Sequence, residues 1–325
     1  MSRRWAVGVD IGGTNVVVGL VPEEGGPPRA LRTRATASLG DPDAVVAELA
    51  NMIRDTIREG REGTTEETLG VGIGSPGPLD LAGGVVLDAF NLGWKDFPIR
   101  DRLADALGLP ATLDNDANCA TWGEYWLGAG RNVKNLVGVT LGTGIGGGVV
   151  LDGRLIHGAS ASAGELGHMT IDFHGRRCKC GNYGCLEAYA SGPNIAARAR
   201  EGLEAGAESA LTALVGGDLE RLTAATVYEA ILKGDAYAGE VMLETAKILG
   251  AGLANIVNLF NPDMIVIVGG VTRAGDYLFT PLRSEVRRRA FRSAEQACQI
   301  VPGALPETAG VIGAAGLFLR SLREA

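Results

Sequence analysis

The stretch Trp5-Ala-Val-Gly-Val-Asp10-Ile-Gly-Gly-Thr-Asn15-Val-Val-Val-Gly-Leu20 decides how the rest of the chain is read. An apolar run meets a turn, Asp10-Ile-Gly-Gly-Thr14, and a β-branched run follows. That is strand, tight glycine turn, strand. The pattern returns as Leu136 to Leu141, Gly142-Thr-Gly-Ile-Gly-Gly-Gly148 and Val149 to Leu151, where all of Gly142 to Gly148 reads as turn. Outward from these hairpins, helical and strand signals alternate. Asp41 is placed to cap a helix with Pro42 in its first turn, and Val45, Val46, Leu49, Met52, Ile53 and Ile57 keep helical spacing up to Gly60. Residues 69–73, 111–113 and 264–268 read as strands. Residues 99–107, 116–127, most of 188–260 and 310–321 read as helices, the first stopping at Gly108. The alternation predicts an α/β protein of two similar halves with a cleft between them.

Composition narrows the class. Gly supplies 49 of 325 residues, about twice the ordinary ~7% share, with no collagen-like period. The backbone therefore turns tightly, or approaches something closely, at many places. Hydrophobic residues reach 46% and the acidic excess is eight charges, which excludes disorder. With 38 Asp and Glu against 30 Lys and Arg, a nucleic-acid partner is not expected. The apolar run from Trp5 to Val9 is too short for a signal-peptide core. The nearly uncharged stretch 248–272 is broken by Asn255, Asn258, Asn261, Pro262 and Asp263, so no membrane span is expected. A soluble, cytoplasmic protein is expected.

The glycine turns carry the first chemistry. No Gly-Lys dipeptide occurs, which excludes a P-loop. Gly147 leads into a strand and Pro76 interrupts the other G-x-G-x-x-G match, which argues against a dinucleotide site. Two glycine hairpins can still present backbone N–H groups to a triphosphate, with Asp10 holding Mg²⁺ through water. Asp114-Asn115-Asp116 lies at a strand end, where α/β proteins place ligands. Phosphoryl transfer to an alcohol needs a carboxylate to take the hydroxyl proton, and Asp116 is the candidate. One of Asp114 and Asp116 is expected only to cap the following helix.

Cys178-Lys-Cys180-Gly-Asn-Tyr-Gly-Cys185, with His168 ten residues upstream, is the sharpest local signal. Gly181 and Gly184 let the backbone fold back, and three thiolates with one imidazole complete a closed, structural zinc shell. Cys119 and Cys298 are expected to be buried small hydrophobes. Glu165 and Glu187 stand close to zinc ligands in sequence, where a metal would fix two carboxylates able to accept sugar hydroxyls.

Together these residues resemble the ROK family of repressors, open reading frames and sugar kinases, and most nearly its bacterial ATP-dependent glucokinases. The motifs that carry the resemblance are Leu113-Asp-Asn-Asp-Ala-Asn118, Leu141-Gly-Thr-Gly-Ile-Gly-Gly-Gly148, Gly164-Glu-Leu-Gly-His168 and Cys178-x-Cys-Gly-x-x-Gly-Cys-x-Glu187. The resemblance implies a two-domain actin-like (ribonuclease-H-like) ATPase fold with ATP and hexose in the interdomain cleft. It implies Asp116 as base on the glucose 6-hydroxyl. Asn115, Glu165, His168 and Glu187 would hold the sugar, helped by Gly74 and Asn91. His168 would also bind zinc with Cys178, Cys180 and Cys185. Asp10, Gly12, Gly13, Thr14, Asn15, Thr143 and Gly144 would hold the phosphates, and Gly269, Gly270 and Gly313 would border adenosine. One departure is Val268, where family members often carry a third Gly. The expected domains are residues 1–114 with 306–325, and residues 115–305. Other readings are a kinase for N-acetylmannosamine, fructose or mannose, a polyphosphate donor, and a sugar-sensing repressor. The first strand begins at Trp5, which leaves no room for the repressors' preceding helix-turn-helix domain. A homodimer or homotetramer is expected from the family.

Overall fold

The computed structural model describes residues 4–38, 42–62, 66–89 and 92–324. The expected cap Asp41 and the expected sugar contact Asn91 lie outside them. Two compact units emerge, and the chain crosses between them four times. The first holds residues up to Gly138, Gly148–Gly164 and Gly303–Ala325; the second holds Val139–Gly147 and Glu165–Pro302.

The first unit opens with β1 (Arg4–Ile11), β2 (Asn15–Pro22), β3 (Arg29–Ala35) and α1 (Pro42–Gly60). It continues with β4 (Glu67–Ser75), β5 (Leu79–Asp80), β6 (Val85–Ala89) and β7 (Trp94–Phe97). α2 (Ile99–Leu107), β8 (Ala111–Asn115) and α3 (Asp116–Trp126) follow. Its main sheet runs β3-β2-β1-β4-β8, antiparallel through the hairpins and parallel from β1 to β4 to β8. Strand alternation splits the core between the two faces. Val7, Val9 and Ile11 pack with Leu49 and Ile53 of α1, while Ala6 and Val21 pack with Val311, Ile312 and Phe318 of a helix near the chain end. Gly8 and Gly72 let that helix lie on the sheet, because a Cβ at either would collide with the carbonyl of Val311 or Ala314.

The chain then forms β9 (Leu136–Leu141), β10 (Ile145–Leu151), β11 (Arg154–Leu155), α4 (Glu187–Ala190), α5 (Gly192–Glu204), α6 (Leu211–Leu214) and α7 (Ala224–Leu232). The long α8 (Ala236–Phe260), β12 (Met264–Val268), α9 (Asp276–Arg289), α10 (Arg292–Ala297) and β13 (Gln299–Pro302) lead to the chain-end helix, α11 (Ala309–Glu324). The second large sheet runs β11-β10-β9-β12-β13. Among the described residues no helix is long and apolar enough to cross a membrane.

The structure departs from the sequence reading at the unit boundary, at Gly313 and along the second glycine turn. The boundary placed at 114/115 falls inside the first unit, between β8 and α3. α3 stays with that unit because it packs on α11 closely enough that a Cβ at Gly313 would strike the Cys119 carbonyl. Gly313 is therefore a buried packing residue in α11. Finally, only Gly142–Gly144 form the second turn: Gly146, Gly147 and Gly148 already belong to β10, where a Cβ at Gly148 would press on Thr121 and Asn118.

Candidate active site

In the first unit, strand register assembles an acidic centre. Asp10 of β1 pairs with Gly74 of β4, and Gly74 pairs with Asp114 of β8, so the three stand in one row at the carboxyl ends of adjacent parallel strands. The chain passes from β8 into α3 at Asn115, whose extended backbone (φ −70°, ψ 143°) and side chain make it the helix cap. Asn115 Oδ1 accepts the N–H groups of Ala117 and Asn118 at 2.9 and 3.2 Å. The cap is thus neither Asp114 nor Asp116, as the sequence reading had it. Asp116 opens the helix, its Oδ1 accepting from Ala117 N–H at 2.8 Å. Asp114 is buried and braces the turn: Oδ1 accepts from Asn115 N–H at 2.8 Å and Asn118 Nδ2 at 3.0 Å, and Oδ2 meets His157 Nε2 at 2.7 Å. Gly74 sits directly beside the turn, since a Cβ there would lie 3.6 Å from Asp116 Cα.

Charge is crowded here. Burial pushes the Asp10 carboxyl up from 3.8 to about 7, and the Asp116 charge adds to the shift. Burial and the Asp114, Asp10 and Asp116 charges hold the Cys119 thiol protonated behind them, so Cys119 is the buried hydrophobe expected of it. Crowded carboxylate oxygens suit a hard divalent cation such as Mg²⁺, which would relieve the repulsion that raises Asp10. The first glycine turn follows Asp10. Gly12 N–H donates to the Asn15 carbonyl at 2.9 Å, Thr36 Oγ1 donates to the Gly12 carbonyl at 2.8 Å, and Gly13, Thr14 and Asn15 are exposed.

The second unit gathers the remaining candidates. The Nδ1 of His168 and Sγ of Cys178 are 3.7 Å apart, Cys180 Sγ and Cys185 Sγ are 3.8 Å apart, and all four ligand atoms lie within 4.8 Å of one another. Thiolates at Zn–S distances of about 2.3 Å in a tetrahedron stand about 3.8 Å apart, so the quartet fits zinc. Gly181 (φ +94°) and Gly184 (φ +70°) supply the left-handed backbone that brings the sulfurs together. Burial and the neighbouring thiols push Cys185 up to about 12, so a metal binding here must displace protons. A metal on His168 Nδ1 leaves its Nε2 as a donor, 4.0 Å from a Glu165 carboxylate oxygen. Glu187 stands between the quartet and the second glycine turn: Oε1 is 3.9 Å from Cys178 Sγ, and Oε2 accepts Ile145 N–H at 2.8 Å beside Gly144.

A cavity of about 610 Å³ opens in the same unit, lined among others by Thr143, Thr223, Tyr228, Gly270 and Arg273. Its size and mostly apolar walls suit a nucleoside. Gly269 lies next to this lining, its φ of +105° holding the chain against the Leu141 carbonyl. Sequence reasoning missed Tyr228 and Arg273 of the cavity wall, and it missed His157. No local pattern marks them.

A family model described as the ROK family matches residues 6–321. A glucokinase of Halalkalibacterium halodurans is 38% identical over 96% of this chain and 94% of its own length. One of Thermotoga maritima is 38% identical over 98% of both chains. Among solved structures, a ROK family glucokinase from Streptomyces griseus in complex with glucose and AMPPNP superposes with a TM-score of 0.83 at 34% identity, covering 96% of this chain and 98% of that one. With residues 6–321 inside the family model and relatives matched almost end to end, the chain belongs to the ROK family and has its two-domain actin-like ATPase fold.

Proposed function

We propose that this chain is an ATP-dependent glucose kinase. The observation that carries the reading is the row Asp10, Gly74, Asp114 with Asp116 in the first turn of α3, in a chain so similar to glucokinases. In the first unit we assign Asp116 as the base and Asn115 and Gly74 as its neighbours around the reacting hydroxyl. As the 6-hydroxyl oxygen bonds to the γ-phosphorus, its proton passes to Asp116 and the bond to the β,γ-bridging oxygen breaks, releasing ADP. Asp10 would hold Mg²⁺ through water, and Mg²⁺ when bound offsets phosphate charge. Gly12, Gly13, Thr14 and Asn15 are assigned to the phosphates.

In the second unit we assign Glu165, His168 and Glu187 to the sugar's other hydroxyls, and Thr143, Gly144, Gly269 and Gly270 to the nucleotide. Gly313 drops out of the nucleotide set because it is buried against α3. Zinc on His168, Cys178, Cys180 and Cys185 would fix the loop geometry and take no part in the chemistry. Three thiolate ligands need a reducing compartment, which supports a cytoplasmic location. A homodimer or homotetramer is the assembly we expect. A coupled ADP-release assay across glucose, mannose, fructose and the N-acetyl sugars, with ATP and with polyphosphate, tests the reading. Glucose with ATP should give the highest kcat/KM; a higher value for any other pair reassigns the substrate, and no turnover with any hexose ends the proposal.

A further inference from the structure

Asp114 spends one carboxylate oxygen on the turn that carries Asn115 and Asp116. Its other oxygen is held from outside the turn, by His157 Nε2 at 2.7 Å. His157 lies just past β11, at the base of a loop. Its carbonyl accepts Ala163 N–H at 3.1 Å, and Gly158 begins the loop with a φ of +72°. One residue thus ties down two segments. Its side chain holds the strand end two residues before Asp116, and its backbone holds the chain two residues before Glu165.

We infer that His157 is a positioning residue for hexose phosphorylation, its imidazolium gripping Asp114 so that the Asn115–Asp116 turn and the lead into Glu165 keep a fixed register. The inference rests on the sugar-kinase reading. A cavity of about 290 Å³ beside the pair gives the ring access to solvent protons. Its other charged lining groups are Arg320 and Glu324 of α11, bonded to each other at 2.6 Å. The Asp114 bond raises His157 above its ordinary 6.5, against burial and the Arg320 charge, which pull it down. The charged pair is therefore complete below that raised value and is lost as pH climbs through it. Misplacing the turn shifts the hexose contacts and the Asp116 base together, so it weakens hexose binding and slows the chemistry of bound substrate.

The test uses the full-length protein, wild type and His157→Gln, with KM and kcat for glucose and for ATP followed across pH. Gln keeps a hydrogen-bond donor and removes the charge. We expect kcat/KM for glucose to fall about tenfold or more at neutral pH through KM and kcat together, KM for ATP to stay within about twofold, and the alkaline fall in kcat/KM for glucose to flatten. An unchanged glucose kcat/KM and alkaline limb overturn the inference, as does a matching loss in the KM for ATP, which marks general damage. The chain has three His, so NMR titration of the wild type gives a check independent of the variant's folding. An imidazole at position 157 that titrates at or below the ordinary His value overturns the inference too. Wild-type inactivity on every hexose overturns both readings; an active wild type with an unmoved variant overturns this one alone.

Discussion

At the first glycine turn the main chain is held by its neighbours: Gly12 N–H on the Asn15 carbonyl, with Thr36 bonded to the carbonyls of both Gly12 and Thr14. At the second, the holders come from far along the chain: Glu187 takes the Ile145 N–H, and Gly192 N–H donates to the Gly142 carbonyl at 2.8 Å. The same sequence device is therefore stabilised in two ways. The first turn builds itself, and the cost of its position falls on Asp10, half-buried within reach of the Asp116 charge. The second turn depends on Glu187, and Glu187 depends on the fold of the Cys178–Cys185 loop. One region is limited by electrostatics, the other by the fold of the cysteine loop.

The largest expected effect lies in the acidic region. Asp116→Ala should lower kcat by about 10²–10⁴, the usual contribution of a positioned base, with zinc content and glucose binding retained. Retention of more than a few per cent of kcat removes Asp116 from that role. The next effect probes the region around the cysteine loop. Cys180→Ser should lose zinc and raise the KM of glucose and of ATP together, because the loop that carries Glu187 loses its fold. An active mutant chain that still holds about one tightly bound zinc breaks the comparison, since the second turn would then not need the full ligand set.

The smallest effect is in stability and has an unusual sign. The Asp10 carboxyl is raised from 3.8 to about 7 in the fold, so between those values the native state holds a proton that the unfolded chain has lost. Stability of the ligand-free protein therefore falls as pH rises through that window and stays lower above it. Asp10→Asn should flatten this slope and raise Tm above neutral pH by several degrees, at roughly 2–4 °C per kcal/mol, while activity drops. A Tm unchanged or lower at pH 8, with the slope intact, shows that Asp10 carries no such strain.

How much of this was legible in the sequence depends on the range of each signal. The first hairpin, α2 with its left-handed Gly108 cap, and the clustering of His168, Cys178, Cys180 and Cys185 are local patterns, and each stands where the sequence puts it. β3 was not read as a strand because Arg29, Arg32 and Arg34 on a half-exposed sheet edge break the apolar alternation. β5 to β7 are two to five residues long, too short for periodicity to show. In the site, Asp116 was legible from its motif, whereas Asn115 as the cap was not: Asp, Asn and Asp in succession are all good caps, and only the backbone angles choose among them. The His157–Asp114 pair spans 43 residues and follows no spacing rule. Gly313 looked like the glycines of the two turns because a glycine that admits a ligand and one that admits a helix are the same letter.

α11 has a consequence for the order in which the protein is made. Its residues belong to the first unit, where Val311, Ile312 and Phe318 complete the core over Ala6 and Val21. Buried Glu124 of α3 takes the N–H groups of Ala304 and Leu305 at 3.0 and 2.8 Å, just after the last crossing between units. A ribosome delivers the chain from its N-terminus. The second unit therefore has all its residues by Pro302, while the unit that begins first waits for Ala309–Glu324. Until then α3 and the sheet beneath it lack their cover, so the acidic centre is among the last parts of the nascent chain to reach its working form.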